Sequence, residues 1–285
     1  MNIQSLSIVV PCGNHCMNNC KFCVSRMHHE DYGEDIVSAT NIPQSYLDRM
    51  AFVRDEGCNS LILTGTTEPQ QNMPFILRLL ELNRKLPKPF YNIAIQTTGA
   101  NMTAKDIGEL TAAGVTTLAL SVSSFYDEEH WDIVQTPMAA RKLTLADLIS
   151  IAKNMNMNVR LCLNLTDAFN LYTPKEIFEI AQFNCVDQVT FRKIYADGEN
   201  EKTEWIRNHE YPKEKFDEII NYIRENGTPI ARLPYGFIQY SVHGISTVID
   251  DNCMSKDNID EMKYAILRPN GKLYSRWDDT GSLIF

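Results

Sequence analysis

The chain has 285 residues, of which 44% are hydrophobic and 22% are charged, and its net charge is −9. These values are typical of a folded globular protein with one large domain, or with one domain and an appendage. Since an acidic chain is a poor electrostatic match for a nucleic-acid backbone, we expect no nucleic-acid substrate. No run of 18 apolar residues predicts a membrane span, and residues 1–10 indicate a strand rather than a signal peptide.

Strand-like and helix-like segments alternate along the first two thirds of the chain. Short apolar runs predict six strands, at 5–10, 60–64, 91–97, 115–122, 158–165 and 187–194. Amphipathic segments between them predict helices at 43–57, 73–86, 103–114, 142–156 and 173–184. Strict alternation favours an α/β fold with a parallel sheet. Six units are too few for a full eight-fold barrel, so we expect an open or partial barrel.

The pattern changes after residue 195. Residues 198–212 are polar and predict irregular structure, and 213–226 predict a helix. The remaining segments are strand-like, and the last two predict a hairpin that turns at Pro269–Asn270–Gly271. We therefore divide the chain into a core at 1–195 and a C-terminal α+β extension at 196–285. The extension is expected to cover the mouth of the barrel.

Four of the eight cysteines lie within residues 12–23, a density that indicates metal binding in a reducing cytoplasm. Cys16, Cys20 and Cys23 have the spacing C-x3-C-x2-C, and three thiolates on one loop can hold three irons of a [4Fe–4S] cluster. A zinc site with Cys12 or His15 as fourth ligand is an alternative, as is a simple electron carrier. Cys12 also forms a second triplet with Cys16 and Cys20.

The segment CMNNCKFC at 16–23, with aromatic Phe22 before the third cysteine, resembles the signature of the radical S-adenosylmethionine (SAM) superfamily. The resemblance covers about residues 5–194. It implies a partial (β/α)6 barrel in which Cys16, Cys20 and Cys23 bind a [4Fe–4S] cluster that SAM also ligates. It further implies reductive cleavage of SAM to a 5′-deoxyadenosyl radical, which abstracts a hydrogen atom from the substrate. An electron donor such as flavodoxin or ferredoxin is implied as a partner.

The same resemblance suggests which residues contact SAM. TGTTEP at 64–69 resembles the family's glycine-rich stretch, with Thr67 where a second glycine is usual. The implied cofactor-binding residues are Phe22, Gly65, Thr66, Thr67, Glu68, Ser121, Ser123, Asn164 and Arg192. Most of them have an ordinary alternative: a strand-to-helix turn at 65–68, solvent-facing serines at 121 and 123, and a surface ion pair for Arg192.

The substrate class stays open between a peptide and a small molecule. The C-terminal hairpin looks like the strand pair that opens auxiliary-cluster domains in peptide-modifying members, but Cys253 is the one cysteine near it. Three arginines of the extension, Arg232, Arg268 and Arg276, could instead bind an anionic metabolite such as a nucleotide. The adjacent His28 and His29 are more typical of a solvated loop than of a metal site.

Overall fold

The computed structural model of the chain describes residues 2–13, 16–27, 31–233, 236–251 and 261–285. His15, His28, His29 and Cys253, for which the sequence suggested roles, lie outside these ranges.

Six parallel strands form the centre of a single sheet, which confirms the predicted α/β fold. They are β1 (Asn2–Val9), β2 (Ser60–Thr64), β3 (Asn92–Thr97), β4 (Thr117–Val122), β5 (Asn158–Leu165) and β6 (Gln188–Lys193). Side chains alternate between the two faces: Leu6 and Ile8 are buried in the core, whereas Ser5 and Ser7 line an internal cavity. On β1, Leu6 and Ile8 therefore face the apolar core and the two serines face the cavity.

Nine helices occur in the described residues: α1 (Val24–Met27), α2 (Gln44–Asp55), α3 (Met73–Asn83), α4 (Ala104–Ala113), α5 (Asp127–Val134), α6 (Leu145–Asn154), α7 (Pro174–Phe183), α8 (Glu201–Asn208) and α9 (Lys213–Asn226). Capping boxes begin α4, α6 and α7, at Thr103, Thr144 and Thr173. The prediction that 198–212 is irregular is wrong, because α8 lies there. Helix α5 was not predicted.

The C-terminal region adds strands to both edges of the same sheet. It contributes β7 (Gly227–Arg232), β8 (Ile238–Val242), β9 (Ile245–Asp250), β10 (Glu261–Leu267) and β11 (Leu273–Tyr274). Strand β9 pairs in parallel with β6, and β10 pairs in parallel with β1. Strands β10 and β11 form the predicted antiparallel hairpin. The strand order is β11-β10-β1-β2-β3-β4-β5-β6-β9-β8-β7, so the sheet is open. The division at residue 195 stays a prediction.

Strands β9 and β10 are not neighbours in the sheet, but a buried ion pair connects them. Lys263 Nζ lies 2.8 Å from Asp250 Oδ1, and Arg192 Nε lies 3.6 Å from Asp250 Oδ2. These three residues belong to β10, β9 and β6. These side chains thus connect β9 and β10, the two outermost parallel strands, although the backbones of these strands do not pair with each other. Among the helices of the described ranges, none is long and apolar enough to cross a membrane.

Candidate functional site

The three cysteines of the C-x3-C-x2-C motif lie in the loop that follows β1, with Cys23 directly before α1. Burial raises the pKa of the Cys16 and Cys20 thiols, and the charge of Cys23 adds to this effect at both. The three thiols are therefore electrostatic neighbours. In the described ranges, no three Cys, His, Asp or Glu side chains converge on one point as ligands of a single ion would. Thiolates are soft ligands that favour iron–sulfur clusters, and each of the three can bind a different iron of a cubane, so the chemistry of this donor set fits a cluster.

Helix α5 supports the cysteine loop from one side. Met17 and Cys20 pack against an apolar cluster that includes Trp131 and Val134. The Lys21 backbone N–H donates to the Ile133 carbonyl at 3.0 Å. Sequence reasoning missed this helix, although the run of three acidic residues at 127–129 favours a helix start.

Helix α8 contacts the cysteine loop from the other side. Lys202 Nζ donates to Asn19 Oδ1 at 3.3 Å, and the ring centroids of Phe22 and Trp205 are 6.2 Å apart. Phe22 is therefore oriented toward a helix of the C-terminal region. The loop lies between α5 and α8, two helices that the sequence did not predict.

Glu68 connects the cysteine loop to the ends of two strands. Its Oε1 accepts from Asn18 Nδ2 at 3.0 Å and from Thr98 Oγ1 at 2.8 Å. Its Oε2 accepts from Gln70 Nε2 at 3.0 Å and from Thr97 Oγ1 at 2.5 Å, and the Thr98 backbone N–H donates to both oxygens. The carboxylate is buried. Both oxygens of the Glu68 carboxylate therefore already accept hydrogen bonds from other groups of the protein.

A cavity of about 1200 Å³ fills the inside of the barrel. At one end it is lined by Ser60, Asn92 and Gln188, the first residues of their strands. At the other end it is lined by Cys16 and by residues that follow the strands, such as Thr66. The cavity therefore runs from the amino ends of the strands to the cysteine loop at their carboxyl ends, where active sites of parallel α/β barrels lie.

The sequence of residues 10–184 matches the family model described as the Radical SAM superfamily, and this range is more than half of the chain. The chain belongs to the radical SAM superfamily. The enzymes of this family use a [4Fe–4S] cluster and SAM for radical chemistry. Membership of the family favours such an enzyme over a zinc-stabilised binding module or a simple electron carrier.

Solved structures with a similar fold include SuiB from Streptococcus suis bound to S-adenosylmethionine, with a TM-score of 0.59 and 12% identity over 95% of this chain and 60% of SuiB. SuiB has also been solved bound to its precursor peptide SuiA. The structure of anSMEcpe with bound AdoMet and Cp18Cys peptide has a TM-score of 0.57 and 14% identity, over 96% of this chain and 73% of that one. This radical SAM protein thus spans about 60% of the length of SuiB. No curated protein sequence matches it.

Some of the residues predicted to contact SAM line the cavity, and others do not. Thr66, Thr67 and Arg192 line the cavity, together with Cys12 and Cys16. Gly65 lies against β1, where an added Cβ would stand 3.4 Å from the Val10 nitrogen. The remaining predicted contacts are not part of the cavity wall: Phe22, Glu68, Ser121, Ser123 and Asn164. Among the latter, Ser123 and Asn164 are buried at the carboxyl ends of β4 and β5.

His130 of α5 is a further buried residue near this end of the barrel. Its Nδ1 accepts from the Ser123 backbone N–H at 3.2 Å, and its ring also bonds to the Thr98 backbone. Burial lowers the pKa of His130 to about 4. The imidazole is therefore neutral at physiological pH and links the ends of β3 and β4 to the helix that supports the cysteine loop.

We expect His130 to make this radical SAM protein less stable as the pH falls. The folded-state pKa of His130 is below the unfolded value of about 6.5. The unfolded state therefore binds more protons between pH 6.5 and 4, and the free energy of unfolding decreases over this window. Between pH 7 and pH 5 the loss from this one group is about 2 kcal/mol. Urea unfolding of the apoprotein at both pH values measures it.

The control is His243→Gln, since His243 is exposed. His130→Gln should lower the pH dependence by about 2 kcal/mol, and His243→Gln should leave it unchanged. Equal pH dependence in the wild type and in His130→Gln would contradict the assignment.

Proposed function

We propose that this chain binds its [4Fe–4S] cluster through Cys16, Cys20 and Cys23 and modifies a substrate held in the barrel cavity. The observation that carries the proposal is that Cys16 lies on the wall of a cavity of about 1200 Å³ at the carboxyl ends of the strands. When bound, the cluster supplies the electron that cleaves SAM to a 5′-deoxyadenosyl radical. The chain itself positions both cofactors and excludes water from them.

The loop that holds the thiols is fixed by the protein. Helices α5 and α8 pack on its two sides, and Asn18 ties it to Glu68. Cys12 lies on the same cavity wall, and its thiol is 3.7 Å from the Glu68 carbonyl. We assign no ligand role to Cys12, because it stands outside the triplet with the C-x3-C-x2-C spacing.

We assign SAM to the upper part of the cavity, between residues 65–67 and the ends of β4, β5 and β6. Pockets for a single small ligand typically measure about 300–1,000 Å³, so a cavity of about 1200 Å³ is larger than such a pocket and has room for SAM and a second molecule. The proposed neighbours of SAM are Thr66, Thr67 and Arg192, which line the cavity. For Gly65, Ser121, Ser123 and Asn164, which do not line it, contact with SAM stays a prediction. For Glu68 we propose that it anchors the cysteine loop; direct acceptance from the SAM ammonium stays a prediction.

For the substrate we propose a peptide. SuiB and anSMEcpe, which share the fold, have been solved with bound peptides. We further propose that the C-terminal region determines specificity, because Phe237, Gln239, Lys263 and Arg268 of that region line the cavity. An anionic small molecule is the second candidate, favoured by the cationic Lys263 and Arg268 on that wall. We place the enzyme in the cytoplasm, with flavodoxin or ferredoxin as electron donor.

The proposed function is tested on anaerobically reconstituted protein. We expect about four irons per chain, no stoichiometric zinc, and release of 5′-deoxyadenosine from SAM after reduction with dithionite. Absence of 5′-deoxyadenosine from a protein that carries four irons would refute the proposal. Candidate peptides and metabolites are then compared by how much they accelerate the release of 5′-deoxyadenosine.

A further inference from the structure

The half of the cavity furthest from the cysteine loop carries many polar side chains beside apolar ones such as Ile3 and Val189. The polar ones are Ser5, Ser60, Asn92, Arg160, Gln188 and Ser246, which lie in the first half of their strands. The interior of a full (β/α)8 barrel is normally packed with bulky apolar side chains. This enzyme instead keeps an open, hydrogen-bonding pocket below the place where we assign SAM.

Arg160 is a cationic side chain in this half of the cavity, which we call the lower half. It is half-buried in β5, and its Nε donates to Gln188 Oε1 at 2.7 Å. Within the described part of the chain, Arg160 forms no ion pair, and its two terminal nitrogens make no hydrogen bond. The nearby Asp187 accepts from Lys153 Nζ and from the Val159 backbone instead. One edge of the guanidinium is therefore fixed by Gln188, while its other nitrogens face the cavity.

Three acidic residues also line the cavity. Asp31 and Asp35 follow α1, and Asp250 ends β9, where it pairs with Lys263. Around Arg160 the wall offers amides and hydroxyls, which can donate to an anion without repelling it. Arg160 is thus a cation of the cavity wall beside neutral polar neighbours such as Gln188.

We propose that Arg160 binds a carboxylate of the substrate. The inference rests on the proposed function and names the substrate class for the same cavity. A guanidinium held at one nitrogen presents a planar pair of donors to a carboxylate. Arg160 and Asn164 lie four residues apart on β5, a distance of about 13 Å along the strand. Asn164 is at the level that we assign to SAM. The substrate is therefore elongated and carries its carboxylate about 13 Å from the reacting carbon.

This length suits an extended peptide with a free C-terminus. About four extended residues span such a distance. A small molecule with a terminal carboxylate at similar reach has the same recognition chemistry, so the two sources are separated by the choice of probe. Tetraalanine represents the peptide, tetraalanine amide is its uncharged counterpart, and suberate represents a non-peptide acid.

The experiment measures binding of these probes to the holoenzyme with SAM, by thermal shift and by titration calorimetry. We expect tetraalanine or suberate to bind the wild type, and the amide to bind at least about 10-fold more weakly than the acid. Arg160→Gln should weaken binding of the acid by about 10- to 100-fold, since charge-assisted hydrogen bonds are lost. Arg160→Lys keeps the charge and should retain part of the affinity.

Arg78→Gln is the matched control, because Arg78 is an exposed arginine of α3 that pairs with Glu81. It should bind both probes like the wild type. Equal binding of acid and amide by the wild type, unaltered binding by Arg160→Gln, or no binding of any probe would overturn the inference. Suberate binding without tetraalanine binding would support it and assign the carboxylate to a small molecule.

Iron content and 5′-deoxyadenosine release are measured on the same samples. Iron content should be unchanged in Arg160→Gln, since Arg160 lies near the amino end of β5 and the cysteine loop follows the carboxyl end of β1. A wild-type protein without iron or without SAM cleavage refutes the proposed function, whereas loss of the acid-over-amide preference refutes the role of Arg160. The two failures are therefore distinguishable.

Discussion

Single replacement of Cys16, Cys20 or Cys23 by Ala is expected to abolish iron retention and to reduce release of 5′-deoxyadenosine to background. Each thiolate binds a different iron, so each variant lacks the ligand of one iron, and no neighbouring side chain replaces it. Cys16, Cys20 and Cys23 lie within eight consecutive residues of the loop between β1 and α1. Iron analysis, the visible absorption spectrum and chromatography of the SAM products measure the outcome.

Cys12→Ala is the matched control, because Cys12 is a half-buried thiol on the same cavity wall as Cys16. It should keep about four irons and cleave SAM. Cys162→Ala tests a thiol deeper in the cavity and should also keep the cluster. If Cys12→Ala lost the cluster and Cys23→Ala retained it, the ligands would have to be the triplet formed by Cys12, Cys16 and Cys20.

Replacement of Glu68 by Ala is expected to have the second largest effect. The buried carboxylate accepts from the side chains of Asn18, Gln70, Thr97 and Thr98. Its removal leaves these donors without their acceptor and should lower the free energy of unfolding of the apoprotein by about 3 kcal/mol. Because Asn18 lies between Cys16 and Cys20, iron retention should fall as well. Urea unfolding and iron analysis after desalting give the two values.

The exposed Glu81 of α3 supplies the control, since Glu81→Ala removes a carboxylate that only surface cations contact. It should leave the free energy of unfolding close to that of the wild type, because surface ion pairs are screened by solvent. The outcome that would contradict the anchoring role is specific: a Glu68→Ala protein with normal stability and four irons but weakened SAM binding. That result would assign the carboxylate to the SAM ammonium instead.

Local signals in the sequence were sufficient for the central strands and most helices. Thr103 and Thr173 marked helix starts that the structure confirms, and the apolar run at 60–64 marked β2 to the residue. Helix α8 was missed because its sequence is polar on most sides, with Ile206 as its one buried aliphatic residue. Its stability comes from packing against the cysteine loop, which no local pattern encodes.

Partners that are distant in sequence could not be predicted either. The sequence placed Glu68 beside a strand but did not indicate that Asn18 and Thr98 would converge on it. It predicted the hairpin of β10 and β11 but not that β10 pairs with β1. Such pairings depend on tertiary packing, which overrides local propensity.

The pairing of β1 with β10 has a consequence for biosynthesis. Ser5 and Lys263, which share a hydrogen bond across this pair, are 258 residues apart. At about 5–20 residues per second, a ribosome takes roughly 10–50 seconds to make the chain between them. Throughout that time β1 lacks one neighbour, and for most of it the cysteine loop lacks α8. Contacts of such long range also form late in folding. We therefore expect the cluster to be inserted after β10 has been made and has paired with β1.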